Sequence, residues 1–193
     1  KEAPVIWDTV FQTAIAQAEL EDADRKSFFN DIIFKTEDKK DLIVGTTRPE
    51  LLGACVALFA HPDDERYKMY FGTYAYSPLY KAKVPVLPDD KADPHKGTGL
   101  VMCCTFGDQT DIEWYKKHGL PLKMIITKDG RMNELAGKYK DLKIEEARKA
   151  ILEDLRQAIL LVGHKEITQT VNVGERSGQP VEIINSKQWY IKY

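Results

Sequence analysis

The 193-residue chain is poor in cysteine and carries no excess of positive charge. Its three cysteines, Cys55, Cys103 and Cys104, form an odd set with no C-x-x-C spacing and no Cys/His cluster at zinc spacing. That pattern argues against a disulfide framework and a structural zinc module, and reads as reduced, mostly buried thiols in a cytosolic protein. With 28 Lys+Arg against 30 Asp+Glu, the net charge is -2. This excludes the simplest nucleic-acid binder, a strongly basic domain, so any RNA contact is local and modest in its salt dependence. No apolar run approaches the ~20 residues that span a bilayer, and no signal peptide opens the chain. Repeats, low-complexity segments, a Walker loop, G-x-S-x-G and zincin motifs are also missing. The four histidines, His61, His95, His118 and His164, are scattered without metal spacing or a nucleophile partner.

What is present is an ordinary globular composition, 43% hydrophobic and 30% charged, on a chain long enough for one domain with a sizeable core. The start at Lys1 without Met, and a strand-like run at 188–193, suggest an excised piece of something larger.

Residues 4 to 21 begin as a strand at Pro4-Val5-Ile6-Trp7. The remainder fits a helix by its alanines and a strand by its alternation, and is read as strand. Asp22 to Lys26 reads as a charged turn, and Ser27 to Lys35, rich in aromatic and β-branched residues, as a strand. Thr36 to Asp41 is a solvated hairpin turn and Leu42-Ile43-Val44 the returning strand. Pro49 keeps Arg48 out of the helical region, so Thr46, Thr47 and Arg48 stay extended while Pro49-Glu50-Leu51-Leu52 starts a helical turn. Cys55 to Ala60 is continuously apolar, as expected of a strand buried on both faces. His61 to Tyr67 is an acidic turn leading to a short helix.

Short strands follow between Thr73 and Leu87, confined to edges or ends by Pro78, Pro85 and Pro88. Asp89 to Lys96 is a polar loop with Lys91, His95 and Lys96. Gly97-Thr98-Gly99 feeds the strand Leu100 to Cys104, along which Cys103 and Cys104 face opposite ways. A helix runs from Asp111 to His118 and stops at Gly119. Leu122 to Thr127 reads as a strand before a hairpin turn at Lys128 to Arg131. Ile144, Ala147, Ile151, Leu155 and Ala158 recur at helical spacing, with Gly163 as the expected stop. From Glu166 onward the chain reads as extended ribbon. The expected architecture is a β-rich α+β domain, a barrel-like mixed sheet with flanking helices.

Two polar stretches interrupt this pattern at strand ends, Gly45 to Glu50 and Gly97 through Asp111, and are expected to meet. Thr110-x-x-Glu113 has capping-box spacing, and Asp108 and Asp111 sit where carboxylates favour a helix dipole. Simple capping explains them. The same placement suits charged anchors for a cation such as an α-ammonium, with both carboxylates expected to stay ionised near neutrality. Thr46 and Thr47 are either strand-end β-branched residues or site residues. Arg48 is either a surface residue or a phosphate fork, and Gly97 and Gly99 most simply permit a tight turn or close backbone approach. By residues alone the result is a domain with a polar pocket lacking an obvious side-chain base.

Thr46-Thr47-Arg48-Pro49-Glu50, His61-Pro62-Asp63-Asp64-Glu65-Arg66-Tyr67, Gly97-Thr98-Gly99 and Gly107-Asp108-x-x-Asp111 occur in an order and approximate spacing similar to those of valyl-tRNA synthetases. The chain resembles their editing domain, the insertion in the catalytic fold of class I synthetases for valine, isoleucine and leucine. The resemblance covers nearly the whole chain, and the set of motifs is specific although each alone is weak. Isoleucyl enzymes tend to carry T-T-T-P-W at the first motif and leucyl enzymes T-T-R-P-D. Where bacterial valyl enzymes usually have lysine, threonine and His-Asp, this chain has Met102, Cys104 and Gly107-Asp108. These departures look like an archaeal-type branch, in which no lysine stands at position 102 to read the substrate.

The resemblance implies one editing domain over 1–193, with 1–24 and 165–193 as ribbons to a catalytic core. It implies post-transfer editing in the cytoplasm: hydrolysis of the ester of Thr-tRNA(Val), a substrate that a valine pocket rejects only about a hundredfold, this pair being itself the established example of that limit. Implied catalytic residues are Thr46, Thr47, Asp108 and Asp111. Implied substrate contacts are Arg48, Glu50, Lys96, Gly99, Met102 and Cys104, with Lys91 beside them. Asp111 would anchor the α-ammonium, the threonine hydroxyl, or both. The implied partners are the CCA end of tRNA(Val) and the remaining domains of the same chain, with no metal, cofactor or membrane. The alternatives are an isoleucyl or leucyl editing domain, a non-catalytic module binding the RNA 3′ end, and a stand-alone deacylase.

Overall fold

The computed structural model describes residues 2–187; the strand-like run expected at 188–193 lies outside them. In chain order the strands are β1 (Glu2–Asp8), β2 (Thr13–Ala14), β3 (Leu20–Thr36), β4 (Asp41–Thr46), β5 (Cys55–Ala60), β6 (Tyr74–Tyr76), β7 (Lys83–Pro88) and β8 (Leu100–Cys104). Two helices follow, α1 (Gln109–His118) and α2 (Ile144–Gln157), and then β9 (Leu161–Gly174) and β10 (Glu182–Lys187). The β-rich α+β class holds.

The main sheet has the order β4-β3-β6-β7-β5-β8, with β9 on β3. Among the described residues only the β5–β7 pairing is parallel; β8 runs antiparallel to β5. The sheet curls until β8 lies against β4, which makes a half-barrel. Strand β5, between β7 and β8, is buried at every residue. Cys55, Leu58 and Ala60 face one core, shared with α2 residues Ala147, Ile151 and Leu155. Val56, Ala57 and Phe59 face a second core under α1, where Phe59 stacks on Trp114 at 4.3 Å. The continuous apolar run therefore reflects two buried faces. Cys104 joins the first core and Cys103 the second, on opposite faces as the strand period requires.

A second sheet, β10-β1-β2, pairs the first described strand with the last, from Glu2 opposite Lys187 to Trp7 opposite Glu182. The stretch after Trp7 is only partly strand: two residues form β2, and Gln17–Glu19 is a 3-10 turn.

Three expected elements differ. Asp22 to Lys26 is no turn; it lies inside the 17-residue β3, paired with β9 from Leu20 opposite Gly174 onward. This ribbon is largely solvated, so its charges make cross-strand partners, as in Thr170 to Asp24 at 2.7 Å and Lys26 to Glu166 at 3.4 Å. Charge density signals exposure and cannot separate a turn from a two-sided polar strand. Leu122 to Thr127 forms no strand beyond the single bridge of Ile126 to Met132; Ile125 and Ile126 are apolar because they fill the core. Helix α2 ends at Gln157 with Ala158 as its C-cap, Ile159 is the left-handed residue (φ 58°), and Gly163 lies further on within β9. Among the described residues no helix is long and apolar enough to cross a membrane.

Candidate active site

An open cleft of about 1110 Å³ is lined by the β4 end at Thr46 and Thr47, by Met102 and Cys104 of β8, and by Asp108 and Asp111 at the start of α1. The two polar stretches do meet. Phe29 of β3 joins them: a Cβ added to Gly45 or to Gly97 would fall 2.3 or 2.4 Å from its ring. Close approach of this aromatic side chain explains Gly45, and Gly97 combines the same approach with a left-handed φ of 59°.

Helix α1 begins two residues earlier than the sequence pattern indicated. Asp108 is the N-cap and its Oδ1 accepts from the Asp111 amide at 2.9 Å. Thr110-x-x-Glu113 is therefore not the capping box, because Thr110 is already inside the helix; Glu113 pairs with Lys91 instead. Asp111 is 7% exposed and sits under the cap. Burial first, and then the neighbouring Asp108 charge, push its carboxyl up to about 8, against the opposing pull of the Cys103 thiol and the Cys104 and Asp108 amides. The expectation that both aspartates stay ionised near neutrality is overturned for Asp111. Helix-end amides do not offset loss of water plus a like charge at this distance.

The connection feeding α1 is tight. Phe106 is buried with φ at 66°, and the Gly107 amide donates to the Cys104 carbonyl at 2.7 Å. A Cβ on Gly107 would lie 2.5 Å from Asp111 Oδ2, so the carboxyl packs on the bare α-carbon of Gly107.

Thr46 is buried and its hydroxyl oxygen accepts from the Arg48 amide at 3.0 Å, while Thr47 is half-buried on the cleft wall. Asn30, 1% exposed, donates to the Thr46 carbonyl at 3.1 Å and so fixes the strand end; its oxygen lies 2.7 Å from His164 Nδ1. Arg48 is committed inside the fold. Its Nε donates to Glu50 at 3.0 Å and its Nη2 to both oxygens of Glu182 at 2.8 and 2.9 Å. Glu50 is fully buried and also accepts two bonds from Arg148, at 2.8 and 2.9 Å. Arg48 lines the cleft, as expected, but its nitrogens are bonded to Glu50, Gly107 and Glu182, whereas Glu50 lies outside the lining residues and its expected substrate contact is not carried forward. Burial would raise the Glu50 carboxyl, but Arg148 and Arg48 bring it below its usual value; burial prevails at Glu182, which is raised.

Lys96 is exposed at the cleft margin, with Lys91 nearby. Their loop is pinned at both ends. The buried carboxylate of Asp89 accepts from the Lys91 amide and from Lys117 on α1, and pairs with His118. At the other end Arg66, held by Asp64, donates to the Pro94 carbonyl at 2.8 Å, and the Tyr67 hydroxyl donates to the Thr98 carbonyl at 2.6 Å. Gly99 is buried, and a Cβ there would meet Arg66 Nη2 at 2.5 Å. It packs on Arg66, outside the residues that line the cleft, so its expected substrate contact is not carried forward. The Asp64-Arg66-Tyr67 part of the second motif is thus a loop clamp.

Comparison with known proteins decides the family. The sequence model of the leucyl-tRNA synthetase editing domain matches residues 60–155. The chain is 54% identical to the valine–tRNA ligase of Rickettsia typhi over 194 residues, covering 98% of this chain and 23% of the relative. It is 46% identical to that of Anaplasma marginale, covering all of this chain and 24% of the relative. The chain belongs to the aminoacyl-tRNA synthetase editing domains. A leucyl enzyme of Agrobacterium radiobacter K84, solved as a ternary complex with tRNA and LeuAMS, shares the fold at a TM-score of 0.57 and 17% identity, covering 77% of this chain and 20% of that one. The editing domain thus spans about a quarter of the length of the valine–tRNA ligases it matches.

Within this editing domain the sequence pattern found Thr46, Thr47, Arg48, Lys96, Met102, Cys104, Asp108 and Asp111 at one cleft. It missed Asn30, Arg148 and Glu182, which lie 16, 98 and 134 residues from their partners. No local spacing signals such pairs.

Proposed function

We propose that the domain performs post-transfer editing, hydrolysing the ester of Thr-tRNA(Val) to threonine and tRNA. The observation that carries the proposal is the buried Asp111 carboxyl beside Asp108, in one cleft with Thr46 and Thr47, in a chain 54% identical to a valine–tRNA ligase. Among the described residues lining the cleft there is no histidine. The chemistry therefore rests on positioning and electrostatics, which suffices for an activated ester.

The α-ammonium of the bound aminoacyl group pairs with Asp111, and this opposite charge draws the carboxyl back to its ionised form. Asp108 adds negative potential at the cleft surface. A polar pocket of this kind hydrogen-bonds the threonine hydroxyl and is left unpaired by valine, which disfavours the cognate product. The Thr46 and Thr47 hydroxyls orient the attacking water. Water oxygen bonds to the carbonyl carbon, the bond to the ribose oxygen breaks, and the ribose oxygen takes the proton that the water gives up. Met102 and Cys104 contact the aminoacyl portion, and Lys96 and Lys91 the terminal phosphates. Assaying the full-length protein against Thr-tRNA(Val), Val-tRNA(Val) and a mischarged leucine tRNA tests the substrate. Preferential hydrolysis of Thr-tRNA(Val) is expected, and equal rates on all three would contradict it.

A further inference from the structure

Arg48 makes a third contact that neither of its carboxylate partners explains: Nη1 donates to the Gly107 carbonyl at 3.3 Å. We infer that Arg48 is a positioning residue for Asp111, acting through the Gly107 peptide, and that Glu182 links this position to the β1–β10 ribbon.

The guanidinium is fixed before it reaches Gly107. Glu50 holds Nε, and Glu50 is itself held by Arg148 of α2 through two bonds. Glu182, the first residue of β10 and opposite Trp7 of β1, holds Nη2 through both oxygens. A planar group held along two sides has one orientation left, and its remaining nitrogen meets the Gly107 carbonyl. Lysine could neutralise either carboxylate but has no rigid fork to reach three partners at fixed angles.

Gly107 is the point at which this matters. It lies between the left-handed Phe106 and the N-cap Asp108, in no strand or helix, and the Asp111 carboxyl rests on its α-carbon. A rotation of the 107 peptide therefore moves the surface that Asp111 packs on. Displacement of a reacting or anchoring group by about 1 Å costs about a hundredfold in rate. Because Arg48 binds Glu182 on the same guanidinium, the attitude of the ribbon and that of the cleft floor are set together.

The inference rests on the hydrolytic reading above, and the test separates the two. In the full-length protein, Thr-tRNA deacylation is measured under saturating conditions for Arg48→Lys, Arg148→Lys and Asp111→Ala. Arg148→Lys loosens Glu50 without touching Gly107. Arg48→Lys is expected to lower kcat about ten- to a hundredfold with KM unchanged, while Arg148→Lys, which leaves the Glu182 and Gly107 bonds of Arg48 in place, lowers it by a smaller factor. Equal loss in both arginine variants, or wild-type kcat in Arg48→Lys, overturns the inference while Asp111→Ala remains inactive. Intact deacylation in Asp111→Ala overturns the reading of the site and the inference with it. If Arg48→Lys does not fold, Glu182→Gln carries the test: a reduced kcat at unchanged KM supports the link, and a wild-type kcat refutes it.

Discussion

The carboxyl of Asp111 and the α-carbon of Gly107 are in direct apposition, with no room between them for a methyl group: a Cβ on Gly107 would stand 2.5 Å from Asp111 Oδ2. Gly107→Ala should push the carboxyl aside while leaving α1 capped by Asp108. Deacylation by the full-length protein is expected to fall about ten- to a hundredfold, with an unchanged far-UV circular dichroism spectrum. A wild-type rate would mean that the apposition has no part in function.

Asp111 also predicts how stability depends on pH. Its folded value near 8 lies above its ordinary 3.8. Below both values the folded and unfolded states carry the same proton. As pH rises from about 4 through 8, the unfolded chain loses the proton that the folded state keeps, so stability falls across that window. Asp111→Asn removes the effect. The Tm advantage of the variant over wild type should widen from pH 5 to pH 8, and a constant gap would contradict the buried, proton-holding environment.

Asp89 carries the opposite sign. Burial would raise it, but Lys117 and His118 hold its carboxyl well below the usual range. Its contribution is therefore present above the unfolded value and lost as pH falls through the folded one. Asp89→Asn should be clearly less stable than wild type at pH 7, and the difference should shrink on acidification below pH 4. A difference that grows in acid would exclude this account.

Glu50 is the most buried member of the network of Arg48, Arg148 and Glu182. Glu50→Ala leaves two arginines short of a counter-charge and should lower the unfolding free energy by about 3–5 kcal/mol. Urea denaturation checks this, and a loss below about 1 kcal/mol would place the pair among exposed salt bridges.

The contrast between what the sequence shows and what it hides follows from range. Cys55 to Ala60, the hairpin at Thr36 to Asp41, and α2 were legible because periodicity and turn chemistry are local. The ribbon of β3 and β9 was not, since charged residues on a two-sided solvated strand read as a turn. The cleft residues were found from strand-end polarity and motif order. Their electrostatics were misjudged at Asp111 because burial is a property of the packed chain, and the inward turn of Arg48 depends on Glu182, 134 residues away.

The most direct test of the central claim is Thr-tRNA(Val) deacylation by the full-length protein carrying Asp111→Ala. Hydrolysis should be lost, and Thr-tRNA(Val) should accumulate while valine is still charged. Deacylation at the wild-type rate would contradict the role given to Asp111 and, with it, the cleft as the hydrolytic site.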